Sequence, residues 1–386
     1  MPRILLPYSK CSIRSFAELF EPIQYAMIGM PPLHSRGNRP LNLSFEDHLR
    51  TLVFFHLEEH TSAQHLLQVL KEDDFARENI APEKGIEKSS FSEANNSRGL
   101  EQFLYVFQNL QNQAHGLLPM RYPELGNLTA IDGSLIDAVL SMTWADYRKG
   151  SKKAKVHVGF DINRGIPRKV FLTDGKGAER NFVGQILSPG ETGVLDRGYQ
   201  CHKRFDEWQE QNQLFLCRVK ESTHKTIVLE KALVPGSIVF FDAIVLLGTP
   251  GINQTEKELR LVGYEVDKVK YWIATNRFDL TGEQVALAYK LRWDIEKFFA
   301  WWKRHLKVYH LIARSEHGLM VQILAGLITY LLLAIHCYRQ HNERVSIKRV
   351  RELRIKIQNE INALNREQKG SASEFEKEPE TDYAKT

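Results

Sequence analysis

The chain has 386 residues, 43% of them apolar and 26% charged, the balance of an ordinary globular protein able to bury a core. That length exceeds the usual single core and predicts two or three domains. A net charge of +5 is too mild by itself to argue for a nucleic-acid partner. Cys11, Cys201, Cys217 and Cys337 have no C-x-x-C spacing, which argues against structural zinc or a disulfide framework and suits a reduced, cytoplasmic protein.

Residues 1–122 read as a helical N-terminal domain, expected to bind DNA. Apolar positions recur at helical spacing over 45–60 and 61–71, with Thr61 as the N-cap between them. After a polar stretch, Ser90 and Glu93 form a capping-box pattern that opens a helix through Leu104, Phe107 and Leu110. Short helices with tight turns are compatible with a helix-turn-helix in which Ser92, Asn95, Asn96 and Arg98 face DNA. A plain helical interaction domain accounts for the same pattern.

From Asn127 the texture changes to short β-like runs at 128–136, 155–162, 168–173 and 193–195, then a helix at 202–211 and a strand at 214–219. A short helix is expected at 181–187. This order predicts an α/β fold with a mixed sheet, its first part spanning 123–221. Residues 222–268 have further β character and interrupt the helical rhythm, as an insertion would. The second part of the core, 269–340, begins with a strand at 270–275 and continues into a long helix after Gly282. The apolar run 319–335 falls short of the ~20 residues that cross a bilayer. It also carries Gln322 and Thr329, so it reads as a buried core helix, with no membrane involvement. Residues 341–386 supply a basic amphipathic segment (346–361) and a tail from Lys369 expected to be disordered. No basic region followed by an apolar stretch opens the chain, so no signal peptide is expected.

Chemistry concentrates at three places. Asp132 follows the apolar run Leu128-Thr-Ala-Ile131, and Asp196 follows Gly193-Val-Leu195, each just before a Gly-containing turn. An Asp that ends a buried strand can point its oxygens out of the sheet edge, where α/β folds habitually place ligands. In the third place Tyr289, Arg292, Glu296 and Lys303 fall on one helical stripe about 60° wide. Two Asp and a Glu offer hard oxygen ligands for one or two Mg²⁺ ions, and the cations and phenol suit a phosphate backbone.

Ile131-Asp-Gly-Ser134, Leu195-Asp-Arg-Gly-Tyr199 and the Tyr-x2-Arg-x3-Glu-x6-Lys signature resemble the three catalytic blocks of bacterial DDE transposases, specifically the insertion-sequence-four family. Ala154-Lys-Val-His157 and Thr275-Asn-Arg-Phe-Asp279 also match stretches usual there. The resemblance covers residues 127–334 and is loose before them. It implies a ribonuclease-H-like core with a mainly β insertion between the second Asp and the Glu. It also implies catalysis by Asp132, Asp196 and Glu296 holding two Mg²⁺ (or Mn²⁺) ions, for cut-and-paste transposition of an insertion sequence. Tyr289, Arg292 and Lys303 would contact phosphates near the scissile bond and help hold a flipped base. An aromatic residue of the insertion, Phe240 or Phe241, would stack on DNA in relatives that form a hairpin. The partners implied are double-stranded DNA, both element ends and target, and a second copy of the chain, forming a homodimer on paired ends in the bacterial cytoplasm.

Arg197 reads equally as a DNA contact or as a partner of a carboxylate. His157 reads as a core histidine rather than a catalytic one. Two basic clusters, Arg148/Lys149/Lys152/Lys153/Lys155 and Lys348/Arg349/Arg351/Arg354/Lys356, are candidate phosphate footprints or simply solvated faces. Two rival functions remain. His56-Leu-Glu-Glu-His60 fits the pattern of an inverted zinc-peptidase helix with Glu59 as base. A transposase retained only for binding DNA would also keep every residue named above.

Overall fold

The computed structural model describes residues 14–34 and 41–375, with side chains as far as residue 363. As far as Leu117 each described regular element is helical: α1 (Arg14–Ala26), α2 (Phe45–Leu57), α3 (Ala63–Glu72), α4 (Lys88–Ser97) and α5 (Leu100–Leu117), with a π-helical turn at Ala76–Ile80. Strands β1 (Leu128–Ala138), β2 (Asp146–Arg148), β3 (Ser151–Asp161) and β4 (Ile166–Asp174) follow, then α6 (Val183–Ile186), β5 (Thr192–Leu195), α7 (His202–Glu210) and β6 (Leu214–Arg218). The chain continues through β7 (Lys225–Glu230), β8 (Val239–Leu247), β9 (Leu259–Val266) and β10 (Val269–Thr275). It closes with α8 (Gly282–Leu291), α9 (Trp293–His305), α10 (Glu316–His341) and α11 (Ile347–Phe375). The protein is therefore α/β with one mixed, ten-stranded sheet, as the pattern of runs predicts.

The sheet order is β2-β3-β1-β5-β6-β10-β9-β8-β7, with β4 on β3. β1 pairs antiparallel with β3 and parallel with β5, and β5 pairs parallel with β6. β7 to β10 form an antiparallel meander that joins this sheet through β10 and β6, so residues 222–268 extend the sheet. Along β1, side chains alternate between two cores. Ala130 faces the core shared with the N-terminal helices, α8, α9 and α10, and Ile131 faces the smaller core under α6 and α7.

Helix boundaries differ from expectation for local reasons. Ser62, not Thr61, caps α3, its hydroxyl accepting the His65 N–H at 3.1 Å. Ser90 and Glu93 lie inside α4, which has no side-chain cap. The helix expected to run on to Leu110 breaks at Gly99, whose φ of +77° is left-handed backbone that glycine adopts without strain. Asn95 is buried and bonds His48 Nε2 at 2.8 Å. Asn96 accepts from Ser315 Oγ at 2.7 Å, and the Arg98 guanidinium donates to Ser90 O at 3.3 Å. These polar groups dock α4 within the fold: Asn95 is buried, Asn96 and Arg98 are half-buried, and Ser92 is exposed.

Helix α10 is long and apolar enough to cross a bilayer by length and composition, yet its most apolar window is 94% buried inside the protein. Its neighbours are α5, α2, α4, α1 and β4. Gln322 is satisfied internally, accepting from Ile312 N–H at 3.1 Å and donating to His310 O at 2.8 Å. α11 runs through Phe375, past the point where disorder is expected, and the rest of the tail lies outside the described residues, as does Cys11.

Candidate active site

The parallel pairing of β1 with β5 ends at Ala130 and Val194. Asp132 and Asp196 each lie two residues beyond that pair, at one level of the sheet; Asp196 follows the end of β5, but Asp132, expected to end its strand, lies within β1, which stays paired with β3 through Ala138. Asp132 Oδ1 accepts the Gly133 N–H at 2.8 Å, and Asp196 Oδ1 caps the one-turn helix Arg197–Tyr199 through the Gly198 N–H at 2.8 Å. Both carboxylates are half-buried. Burial pushes the Asp132 pKa up to about 6; Glu179 and Asp196 push the same way, against the Gly133 N–H and Arg292. Asp132 therefore lies within electrostatic reach of Asp196, Glu179 and Arg292.

The predicted long helix is divided at Arg292, where 3₁₀-type bonds (Arg292 N–H to Tyr289 O and Ile295 N–H to Arg292 O, both 3.1 Å) tighten the turn between α8 and α9. The stripe splits accordingly. Arg292 holds Glu296 at 2.5 Å, and although burial opposes the guanidinium charge, Tyr289, Glu296 and Asp132 raise its pKa. Lys303 leaves this group and donates to Leu135 O at 2.6 Å, three residues along β1 from Asp132. Tyr289 is buried, and burial raises its pKa to about 12. It lines a 260 Å³ aromatic pocket with Arg218, Tyr264, Tyr271, Arg292 and Trp293. There Tyr264 stacks on Tyr271 with ring centroids 5.1 Å apart, and Arg218 lies 4.6 Å over Tyr271.

The donor set fits a hard divalent cation in part. Asp132, crowded by two carboxylates and depleted of solvent, is a group whose ionised form gains from a nearby cation. Among the described residues, however, no three His, Cys, Asp or Glu side chains converge into a metal-holding group. Glu296, the third ligand expected from the sequence, is paired with Arg292. The two aspartates at one level of the sheet suit such a cation, whereas Glu296 is engaged by Arg292.

Sequence reasoning did not single out Glu179, Tyr199, Arg218, Tyr264 or Tyr271. Glu179 pairs with Lys155 at 2.5 Å beside Gly133, where a Cβ would lie 2.6 Å from Glu179 Oε1 and would push these side-chain ends aside. The Tyr264–Tyr271 pair had no clear turn signature in the sequence, since Asp267-Lys268 lacks the glycine usual in such turns. Asp267 and Lys268 both have positive φ, the mark of a two-residue hairpin, and that turn sets Tyr264 opposite Tyr271.

Several expectations are corrected or narrowed. His157 is a core residue, buried, bonded to Thr173 Oγ1 at 2.9 Å and stacked on Phe182. Burial, with Lys155 next, lowers its pKa to about 4. The zinc-peptidase pattern fails because α2 ends at Leu57 and Glu59 has a φ of +56°, so His56 and His60 do not share a helix face. His56 Nδ1 instead meets Leu306 O at 2.6 Å, and Glu59 is bound by Arg354 at 2.6 Å. The basic clusters are largely neutralised: Lys152 by Asp146, Lys153 by Asp137, Lys155 by Glu179, and Arg349 by Glu343 and Glu352. Phe240 and Phe241 both pack on Trp272, and Phe240 is the more exposed.

A model of the family described as "Transposase DDE domain" matches residues 124–332, more than half of the chain. A probable transposase for insertion sequence element IS5377 of Geobacillus stearothermophilus is 28% identical over 217 residues, 55% of this chain and 57% of that protein. A putative transposase for insertion sequence element IS4SA of Synechocystis sp. is 25% identical over 272 residues, covering 68% and 75% of the two chains. A putative transposase, y4zB, of Sinorhizobium fredii is 28% identical over 217 residues, and the match spans 60% of its length. The chain thus matches little more than half the length of two of these relatives. The matched segment contains both aspartates and the Tyr289–Lys303 stripe, and on that match the chain belongs to the transposase DDE domain family.

Proposed function

We propose that this chain is a DNA transposase of the insertion-sequence-four type, which hydrolyses phosphodiesters at the ends of its element and then joins the freed 3′-hydroxyls to target DNA. The observation that carries this reading is the shared register level of Asp132 and Asp196, with Arg292 and its partner Glu296 alongside. The order β4-β3-β1-β5-β6, antiparallel and then parallel, is consistent with a ribonuclease-H-like core whose insertion is the meander and which an N-terminal helical region precedes.

Asp132, Asp196 and Glu296 would hold two Mg²⁺ ions, or Mn²⁺, which when bound supply charge to the phosphoryl oxygens and lower the pKa of attacking water. The chain's own groups do the positioning. Arg292, relieved of Glu296, presents a two-pronged donor to a phosphate, and Tyr289 offers a hydroxyl from a fixed ring. Lys303 brings a point charge close to β1. Arg197, exposed beside Asp196, meets the same backbone from the other side. The aromatic pocket suits an unstacked base, since each base has a π-face and Tyr264, Tyr271 and Arg218 form a ready stack. Two ends must be cut and joined in concert, so the working form is a homodimer on paired double-stranded ends, in the cytoplasm.

The test is Mg²⁺-dependent cleavage of a labelled duplex carrying the native element end. Glu296→Gln and Asp132→Ala should each cut at least about a thousandfold more slowly, a barrier rise of roughly 4 kcal/mol. Cutting by either variant at the wild-type rate would remove the proposed active site.

A further inference from the structure

Beside Asp196, lined by its neighbour Arg197, lies a larger cleft of about 570 Å³. Arg180, Arg197, Lys203 and Lys220 line it. Among the described residues Arg180, Arg197 and Lys220 have no carboxylate within ion-pair distance, unlike most cations of the two basic clusters. The cleft also receives the start of α7, a nine-residue helix whose N-cap, Cys201, provides no side-chain bond to its first N–H groups. A cleft whose cations are mostly unneutralised and whose wall includes an uncapped helix start favours an anion.

The two acids on the lining, Asp206 and Glu256, are outnumbered by its four cations. Asp206 is buried and accepts the Glu256 and Lys257 N–H groups, both at 3.0 Å, so its oxygens are occupied. Glu256 lies exposed on the rim. The walls are fixed in advance. Gln200 accepts the Lys220 N–H at 2.9 Å and donates to Thr223 Oγ1 at 3.0 Å, while His202 Nδ1 meets Asn253 O at 2.8 Å. Arg180 Nε donates to Gly198 O at 2.7 Å, which leaves its terminal nitrogens free for a ligand.

We propose that this cleft binds a backbone phosphate of the DNA strand at the N-terminus of α7. Resting on the transposase reading, it assigns the path of that strand. Arg218 lines the aromatic pocket and Lys220, two residues on, lines the cleft, so the strand passes from one to the other across the end of β6 and beside the carboxylates.

Cys201 supplies a native reporter, being half-buried on the cleft wall while Cys217 and Cys337 are buried. Full-length Asp132→Ala protein without divalent cation is treated with N-ethylmaleimide, and Cys201 alkylation is followed by mass spectrometry with and without the end duplex. At ten times the Kd about a tenth of the molecules remain open, so alkylation should slow about tenfold. Lys203→Gln with Lys220→Gln should lessen this protection and lower the slope of log K against log salt by about 1 to 2, while Lys84→Gln should change neither. Binding of the duplex, seen by fluorescence anisotropy, with Cys201 alkylated at its free rate would overturn the cleft assignment alone. Absence of any duplex binding by the wild-type protein would overturn the transposase reading with it.

Discussion

Asp132 places fold stability and chemistry in opposition. Its folded pKa of about 6 lies above the ordinary 3.8, with burial the main cause. A carboxyl with a raised folded pKa contributes fully below the unfolded value, and that contribution is lost as pH rises through the folded one. The window is therefore pH 4 to 6, and above it the ionised group costs about 3 kcal/mol. Asp132→Asn should accordingly be more stable than wild type at pH 8 without metal and equal to it below pH 4, as urea unfolding would measure. Adding Mg²⁺ should stabilise the wild type and leave the Asn variant unmoved. Equal stabilities across the whole range would show that Asp132 is not desolvated. At this scale the sequence was informative for Asp132 and Asp196, because an apolar run that meets Asp before glycine marks a buried strand; it encodes the strand's exit at Asp196 but not at Asp132, where β1 runs on to Ala138. It was silent on Glu179, whose approach to Asp132 depends on a turn between β4 and α6 that carries no local motif.

Among the elements, the helix with the stripe was legible in its extent and not in its break. Periodicity fixes which residues share a face, but the loss of one helical bond at Arg292 is decided by what each half packs against. α8 rests on β8, β9 and β10, whereas α9 contacts β1. The attachment of α8 to the meander depends on a buried ion pair. Arg260 on β9 holds Asp242 on β8 through two bonds, at 2.8 and 2.6 Å, and also donates to Leu280 O just before α8. Both side chains are more than 90% buried. Removing one partner strands a buried charge, so Asp242→Ala should destabilise the protein by about 3–5 kcal/mol. Replacing both by apolar residues of similar volume should recover most of that loss, since paired desolvation is costly too. Urea unfolding of the two singles and the double measures the coupling. An additive double variant would mean that the pair does not act as a unit.

On the scale of the whole molecule, composition changes sharply near residue 123, and that change marks a boundary between textures rather than between cores. α10 shows why. His56 on α2 meets Gln322 O at 3.3 Å, Asn96 on α4 bonds Ser315 at the start of α10, and a Cβ at Gly326 would lie 3.5 Å from His56. The N-terminal helices and the sheet thus bury one continuous cluster around α10, which hydropathy along the chain cannot reveal because both partners read as apolar. A chain starting at residue 124 would bare the α10 surface that α2, α4 and α5 cover. Each fully exposed Leu or Ile costs about 1.5–3 kcal/mol, against a net stability of only about 5–15 kcal/mol for a whole domain. That truncation, although it retains the whole family-matched segment and every proposed catalytic residue, should lose near-UV circular dichroism and cooperative unfolding and should bind a hydrophobic dye. A truncated protein that unfolds cooperatively with native near-UV signal would show instead that the helices before residue 123 are a separable domain, and that α10 needs no cover from them.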